Sequence, residues 1–291
     1  MLRIGPAGWS YDDWQGIVYP PGTPRGRHPL ALLAPWFGTV ELNVSFYRPL
    51  NTTHVDGWVR RVEPWPDFRF TAKLYRAFTH ERGAWPGTDT EAQTRAGLAA
   101  LAAAGRLGAV LVQFPWSFKR TPENRRWLAR VLDAFADYPL VVEVRHASWD
   151  REEVYTALAE RGIAFCNIDQ PLFHDSLDAT EHTTARVGYV RLHGRNAHDW
   201  FRDDADRDER YDYLYSPQEL TPWIEKIERM RRRVNDLYVV TNNHYQGQAV
   251  VNALEIAAAT LGQRFTLPER LVSHYPRLRG LLQEEPGSAT D

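Results

Sequence analysis

The chain has 291 residues, of which 43% are hydrophobic and 25% are charged, so its composition is that of a folded globular protein and excludes a wholly disordered one. Its net charge of −2 gives no overall positive field that would attract nucleic acid or a membrane surface, although a local basic groove is compatible with it. The sequence holds one cysteine, Cys166, which excludes a disulfide framework and any metal site built from several cysteines.

The first residues and the hydrophobic runs indicate where the protein works. The chain begins with a strand-like pattern and lacks the basic start and long apolar core of a signal peptide. No apolar stretch approaches the roughly 20 residues that a membrane-spanning helix needs. We therefore expect a cytoplasmic protein without a membrane partner.

Short apolar runs rich in β-branched residues alternate along the chain with amphipathic helical segments. The predicted strands are residues 2–8, 39–43, 68–74, 109–114, 140–145, 163–169, 187–193 and 237–243. Predicted helices include residues 53–62, 91–104, 122–136, 152–161 and 217–233. This alternation predicts parallel strands joined by helices, and eight repeats favour closure into a barrel. We expect one domain over residues 1–291, a single (β/α)8 TIM-type barrel; the alternative is an open doubly wound sheet, which no glycine-rich dinucleotide motif supports.

Two segments depart from the short connections of this pattern. Residues 195–215 are rich in aspartate and aromatic residues, and long connections in compact domains are usually functional or disordered. We interpret them as a lid over the strand ends, with a bend permitted at Gly194. Ser216 and Glu219 have the spacing of a capping box, which predicts that a helix begins just after this segment. Residues 284–291 are expected to form a frayed tail.

Polar side chains recur near the carboxyl ends of the predicted strands. They are Glu41, Asn43, Lys73, Gln113, Glu143, Arg145, Asp169, Arg191, His193, Asn242 and Asn243. Residues two apart share a face of a strand, and we interpret the polar face as the one turned into the barrel. Buried charges cost several kcal/mol unless they are paired or solvated. Because barrel enzymes carry their active sites at the carboxyl ends of the strands, this set predicts a functional pocket there.

Single members of this set also have ordinary structural interpretations. Glu41 paired with Lys73, or Glu143 paired with Arg145, would form a buried ion pair without a role in catalysis. His193 would equally be a satisfied neutral imidazole. The convergence of so many charged groups at one end of the barrel favours a functional pocket over each of these interpretations.

Separate motifs along the chain together resemble one known family. The longest are GWSYDDW at residues 8–14, VELNVSFYR at 40–48, VEVRHASW at 142–149 and YVRLHG at 189–194, with shorter matches at 19–20, 70–73, 79–80, 113–115, 213–216, 242–244 and 252–253. In this order they resemble the family called domain of unknown function 72, although Val44 stands where a small polar residue is expected. The resemblance implies a TIM-type barrel similar to metal-dependent sugar isomerases and abasic-site endonucleases, and it implies no particular activity.

The first functional hypothesis is an enzyme that acts on an anionic, phosphate-bearing substrate, a nucleotide or nucleic acid, by phosphodiesterase-like or nuclease-like hydrolysis. The lysine and arginines of the set would hold phosphate oxygens. Glu143 or Glu41 would be the general base and His193 the general acid. The predicted catalytic residues are Glu41, Glu143, Asp169 and His193. The predicted substrate-binding residues are Asn43, Tyr47, Lys73, Gln113, Arg145, Trp149, Arg191 and Asn243.

Two alternatives stay open. A metal-dependent sugar isomerase or lyase would place Asp169, Glu143 and His193 around a divalent cation, the one cofactor considered, although three nearby cations make that centre electrostatically poor. A nucleic-acid-binding or protein-binding module without turnover would use aromatic residues around Trp14 and Trp149 as stacking surfaces.

Overall fold

The computed structural model describes residues 1–22, 28–198 and 210–284, and eight parallel strands form its centre. They are β1 (Leu2–Pro6), β2 (Thr39–Leu42), β3 (Arg69–Lys73), β4 (Leu107–Gln113), β5 (Leu140–Glu143), β6 (Ala164–Asp169), β7 (Val187–Leu192) and β8 (Asp236–Thr241). Hydrogen bonds join them in the order β1-β8-β7-β6-β5-β4-β3-β2. The two ends of this series meet where the Gly8 amide donates to the Glu41 carbonyl at 2.9 Å. The expected (β/α)8 TIM-type barrel is confirmed.

Helices surround the strands. The described ones are α1 (Leu30–Leu33), α2 (Val44–Tyr47), α3 (Thr52–Arg61), α4 (Thr88–Ala103), α5 (Pro122–Ala134), α6 (Glu152–Glu160), α7 (Pro217–Met230), α8 (Gln248–Leu261) and α9 (Glu269–His274). The expected capping box opens α7, where Ser216 accepts from the Glu219 amide and the Glu219 carboxylate accepts from the Ser216 amide. Each predicted strand agrees with an observed one to within two residues, and each predicted helix to within three.

Both faces of the strands are buried, which matters for how polar residues are interpreted. All six residues of β6 are buried, and so are all four of β2 and of β5. One face packs against the helices and the other fills the barrel, as parallel sheets with helices outside require. The approach of β1 to β2 is close enough to need glycine, because a Cβ at Gly5 would lie 1.9 Å from the Thr39 carbonyl oxygen.

The expected lid and the expected frayed tail fall largely outside the residues that the structure describes. Of the proposed lid at 195–215, residues 199–209 lie outside them, and the tail at 284–291 lies outside them apart from its first residue. Among the residues that the structure describes, no helix combines the length and the hydropathy needed to cross a bilayer.

Candidate active site

Strands on opposite sides of the barrel send charged side chains into its interior, where they meet. Arg191 of β7 contacts Glu41 of β2 and Glu143 of β5. The Arg191 Nη2 atom lies 2.7 Å from Glu41 Oε1, and its Nη1 atom lies 2.7 Å from Glu143 Oε2. The three side chains are 1%, 0% and 0% exposed, so they are closed off from solvent.

The charges of this cluster nearly balance. Arg145 adds a second cation, with its Nη2 atom 3.0 Å from Glu143 Oε1. Burial opposes ionisation of Glu143, but Arg191, His193 and Arg145 together hold the pKa of its carboxyl well below the usual range. Burial likewise opposes the charge on Arg191, yet Glu143 and Glu41 together raise the pKa of its guanidinium well above the usual value. Glu143 is therefore a carboxylate already held by cations rather than a base available to a substrate.

His193 belongs to the same buried layer. Its Nε2 atom lies 3.2 Å from Glu143 Oε1, and its Nδ1 atom lies 3.0 Å from the Asn242 amide nitrogen. Burial, followed by the charge of Arg145, lowers the pKa of His193 to about 3. The neutral ring accepts a hydrogen bond from the Asn242 amide at Nδ1, so we assign its proton to Nε2, which donates to Glu143 and also lies 3.3 Å from Arg145 Nη2. We call Glu41, Glu143, Arg191 and His193 the buried network.

The second carboxylate oxygen of Glu41 is also engaged. The Tyr189 hydroxyl lies 3.0 Å from Glu41 Oε2 and 2.7 Å from Thr71 Oγ1. Burial raises the pKa of Tyr189 well above its usual value, and the nearby Glu41 charge adds to this, so the phenol stays protonated and bonds Glu41. Both glutamates are thus held from two sides, as buried charges require.

Next to the buried network lies an open cavity of about 1120 Å³. Its basic lining residues are Arg48, Arg60, Arg61, Lys73, Arg145 and Arg210, and its histidines are His28, His54, His80 and His244. None of the described lining residues is an aspartate or glutamate. Arg145 belongs to both regions, since it lines the cavity and contacts Glu143. The cavity therefore offers positive charge and hydrogen-bond donors to a ligand.

Lys73 ends β3 and lies half-buried in the cavity wall. Its Nζ atom lies 4.2 Å from the centre of the Phe46 ring, and it forms no hydrogen bond or ion pair with any residue that the structure describes. Burial, followed by the charge of Arg191, lowers the pKa of Lys73 to about 7. Part of this amine is therefore unprotonated at neutral pH.

His80 lines the same cavity and is a second nitrogen base. Its Nδ1 atom lies 2.9 Å from Thr79 Oγ1, and its ring packs edge-on against Phe46. Burial, followed by the charge of Lys73, lowers the pKa of His80 to about 4. A neutral imidazole therefore faces the cavity close to Lys73.

The structure separates the predicted site residues into three groups. Those that line the cavity are Asn43, Tyr47, Lys73, Gln113 and Arg145. Those in the buried network behind its wall are Glu41, Glu143, Arg191 and His193. Those placed elsewhere are Asp169, Trp149 and Asn243. The first two groups meet at Arg145, but Glu41, Glu143, Arg191 and His193 lie behind the cavity wall, so the expectation that they line one common pocket with Lys73 and Gln113 is wrong.

Asp169 faces the helices instead of the barrel interior. Its carboxylate accepts from Arg195, with Nε at 2.9 Å and Nη2 at 2.7 Å, and from the Trp223 indole of α7. The face of β6 that enters the barrel carries Cys166, whose Sγ atom lies 3.9 Å from Glu143 Oε2. Because both faces of β6 are buried, polarity did not identify its inner face, and the predicted position of Asp169 in the pocket is wrong.

Trp149 and Asn243 also have structural partners outside the cavity. The Trp149 indole donates to the Phe118 carbonyl at 2.6 Å and stacks on the Phe118 ring. The Asn243 side-chain amide donates to the Tyr213 carbonyl at 2.7 Å and to Asn252 Oδ1 at 2.8 Å. Neither lines the cavity, and we correct both placements.

Several cavity residues were not among the predicted ones. Asn242 was placed with the polar strand-end residues but not among the substrate-binding ones; it lines the cavity in place of Asn243, because the sequence left the phase of β8 open. Arg60 and Arg61 lie near the end of α3, where arginines ordinarily form a solvated helix face. Arg48, His80 and His244 did carry a usable signal, because each lies in one of the motifs that the sequence shares with the family.

The described ends of the segment 195–215 lie against this site. Arg210 and Tyr211 line the cavity, while Tyr215 is buried and its hydroxyl accepts from the Gly194 amide at 2.9 Å. Gly194 has a φ of +90°, so the chain turns there in a conformation that favours glycine. The lid itself stays a prediction, since its middle lies outside the described residues.

The described residues lack the features that we expected for a metal-dependent sugar isomerase or lyase and for a binding module without turnover. The described residues contain no group of three or more His, Cys, Asp or Glu side chains placed to hold a metal ion. Trp14 and Trp149 are buried, so the stacking surfaces expected of a binding module are not accessible there.

Comparison with known proteins gives consistent results. The family model described as "Protein of unknown function DUF72" matches residues 3–273. The UPF0759 protein YunF of Bacillus subtilis is 29% identical over 269 residues, which are 88% of this chain and 93% of that protein. A DUF72 family protein of Thermotoga maritima is 36% identical with a TM-score of 0.76, over 88% of this chain and 97% of that one. One from Enterococcus faecalis is 25% identical with a TM-score of 0.77, over 92% and 98%.

Proposed function

Because the chain belongs to the DUF72 family, which is described as of unknown function, we propose its function from its own site: an enzyme that binds a phosphate-bearing substrate in the cavity beside Lys73 and Arg145. The observation that carries this proposal is the one-sided charge of the lining. Six of the described lining residues are Lys or Arg and none is Asp or Glu. An anionic group is the ligand that such a wall stabilises most.

The buried network supports this assignment by accounting for the glutamates. Glu41 is bound to Arg191 and Tyr189, and Glu143 to Arg191 and Arg145, so neither glutamate forms an ion pair with Lys73. A phosphate entering the cavity would meet a wall whose described residues include six Lys or Arg side chains and no Asp or Glu. A neutral sugar would gain no comparable electrostatic stabilisation.

The residues placed for acid–base chemistry in the cavity are Lys73 and His80, whereas the sequence pattern favoured Glu143 and His193. Glu143 and His193 are buried and hydrogen-bonded to one another, whereas Lys73 and His80 line the cavity as nitrogen bases. Lys73, whose pKa is lowered to about 7, is suited to take a proton from an attacking water molecule, and the neutral His80 is a hydrogen-bonding group beside it. Hydrolysis of a phosphoester, including that of a nucleotide or nucleic acid, is one reaction that we propose for this site.

Calorimetric titration tests the binding part of the proposal. We expect inorganic phosphate and nucleoside monophosphates to bind the wild type, and Arg145→Gln to weaken binding about ten- to a hundredfold, as for loss of one charge-assisted hydrogen bond. Lys73→Gln is the second variant, since Lys73 has no hydrogen-bond partner whose loss would disturb the described fold.

Arg126→Gln is the matched control, because Arg126 lies exposed on α5 and is absent from the cavity lining. It should bind phosphate like the wild type. Failure of the wild type to bind phosphate at low ionic strength, or equal weakening by all three substitutions, would contradict the proposed function. Product formation from phosphodiesters and short oligonucleotides, compared between wild type and His80→Gln, then tests hydrolysis.

A further inference from the structure

Lysine is rare in this chain, which makes its position informative. Of 35 basic residues only three are lysines: Lys73, Lys119 and Lys226. Lys119 is exposed beside Trp116, and Lys226 donates to the Ala179 carbonyl at 2.7 Å on the outside of the barrel. Lys73 alone of the three lies in the cavity lining. Arginine supplies nearly all the positive charge elsewhere, so Lys73 is the one primary amine among the described cavity residues.

The surroundings of Lys73 make its proton easier to lose than that of an exposed lysine. The charged groups that act on it are Glu41 of β2, Glu143 and Arg145 at the end of β5, and Arg191 of β7. Both glutamates are bound to the arginines, and the Phe46 ring covers the Nζ atom at 4.2 Å. An amine packed against an aromatic ring and flanked by arginines is activated in the two ways by which proteins make lysine nucleophilic, desolvation and neighbouring positive charge.

We propose that the Lys73 amine forms an imine with an aldehyde or ketone of sugar size whose phosphate group is held by the cavity arginines. This inference rests on the proposed phosphate binding and names the substrate class more narrowly. The phosphate would supply binding and orientation, while the carbonyl carbon would lie next to Nζ.

The step balances without any further reactant. The Nζ lone pair attacks the carbonyl carbon, a C–N bond forms, and the C=O π pair moves to oxygen, which takes a proton from the nitrogen side. The nitrogen lone pair then forms the C=N bond as the hydroxyl leaves with a second proton, so that one water molecule is released. His80 lines the same cavity and is the base suited to carry the proton between nitrogen and oxygen.

The three-lysine composition allows a direct chemical test. The full chain is incubated with glycolaldehyde phosphate at pH 7.5 and treated with borohydride, which reduces the imine to a stable secondary amine, and the modified peptide is located by mass spectrometry. We expect Lys73 to be labelled about tenfold or more faster than Lys119 or Lys226, because far more of an amine with a lowered pKa is unprotonated at this pH. Equal labelling of the three lysines would overturn the inference.

Matched variants separate the nucleophile from the charge. Lys73→Arg keeps a cation in the cavity and should lose the cavity adduct, because a guanidinium does not form an imine. The Lys119→Arg/Lys226→Arg double variant should keep the Lys73 adduct. An adduct yield in Lys73→Arg equal to that of wild type would also overturn the inference.

Two further arms distinguish failure of this inference from failure of the proposed function. Unphosphorylated glycolaldehyde should label Lys73 at least about tenfold more slowly, and inorganic phosphate should compete with the phosphorylated probe. If calorimetry shows phosphate binding but borohydride traps nothing on Lys73, imine formation is wrong and the proposed function stands. If phosphate neither binds the wild type nor competes with the probe, both the proposed function and the imine inference are wrong.

Discussion

The buried network and the cavity wall arise from the same strand ends, yet they handle charge in opposite ways. In the network, Arg191 is clamped between two glutamates, and the surrounding side chains complete the hydrogen bonds of both. In the wall, Lys73 packs against the Phe46 ring and forms no hydrogen bond or ion pair with the described residues. The network charges compensate one another inside the barrel, so removing one leaves another buried and unpaired, whereas the cavity charges lie where a ligand can reach them.

The largest expected effect on stability comes from removing Arg191, the central cation of the buried network. Arg191→Met would leave Glu41 and Glu143 buried with a single remaining cation, and loss of one partner from a buried ion pair costs about 3–5 kcal/mol of stability. Urea unfolding should show this loss, with Arg126→Met on the exposed surface of α5 as the control. A loss below about 1 kcal/mol, the range of surface ion pairs, would mean that the network is not structural.

The pH dependence of the unfolding free energy tests whether His193 in the buried network is neutral. The unfolded chain protonates His193 below its usual pKa near 6.5, but the folded protein does so only near pH 3, so the unfolded state binds more protons in this window. Stability therefore falls as the pH falls, by about 1.4 kcal/mol per pH unit for this one group. His193→Gln keeps one donor and one acceptor but cannot titrate, so its unfolding free energy should fall less steeply.

The difference between the two proteins isolates His193 in that experiment. Other histidines with lowered pKa values, such as His80 and His28, act equally on both proteins. Below about pH 4.5 both should lose stability further, since Glu143 must then be protonated in the unfolded state while its carboxyl stays ionised in the folded one. Parallel curves between pH 6.5 and 4.5 would rule out a neutral buried His193.

The smallest expected effect lies at the rim of the cavity. Arg60 is exposed on α3 and lines the cavity, so Arg60→Ala should weaken phosphate binding only about two- to fivefold at low salt. The effect should vanish in high salt, because exposed charges are screened over a few ångströms. Calorimetry at two salt concentrations checks this, and an effect of Arg60→Ala larger than that of Arg145→Gln would reverse the assignment of binding residues.

The sequence was sufficient for the barrel and for most of the polar cluster. Strand positions followed from β-branched runs such as residues 187–193, and spacing by two placed Arg191 and His193 on one face together. The sequence does not reveal how deep a side chain lies along the barrel axis. Glu143 was therefore predicted to act on a substrate, although Arg145, two residues later, is the one that lines the cavity.

Side-chain direction was also unpredictable where both faces of a strand are buried. In β6 the apolar Cys166 enters the barrel and the polar Asp169 turns to Arg195 and Trp223, the reverse of the assumed rule. The salt bridge that satisfies Asp169 joins residues 26 apart in the chain, and no local pattern reveals such a partner. The cavity residues of α3 were missed because nothing local distinguishes them from a solvated face.

The place of Cys166 has a practical consequence. It is the sole thiol of the sequence, it is fully buried, and it lies 3.9 Å from a Glu143 oxygen in the middle of the barrel. Burial, reinforced by the Glu143 charge, raises the pKa of this thiol well above its usual value, so alkylating reagents should react only when the barrel opens. The alkylation rate of the unmodified protein therefore measures how often the barrel opens. A bound ligand that slows alkylation would report occupancy of the neighbouring cavity without a chromophore, a label or a substitution.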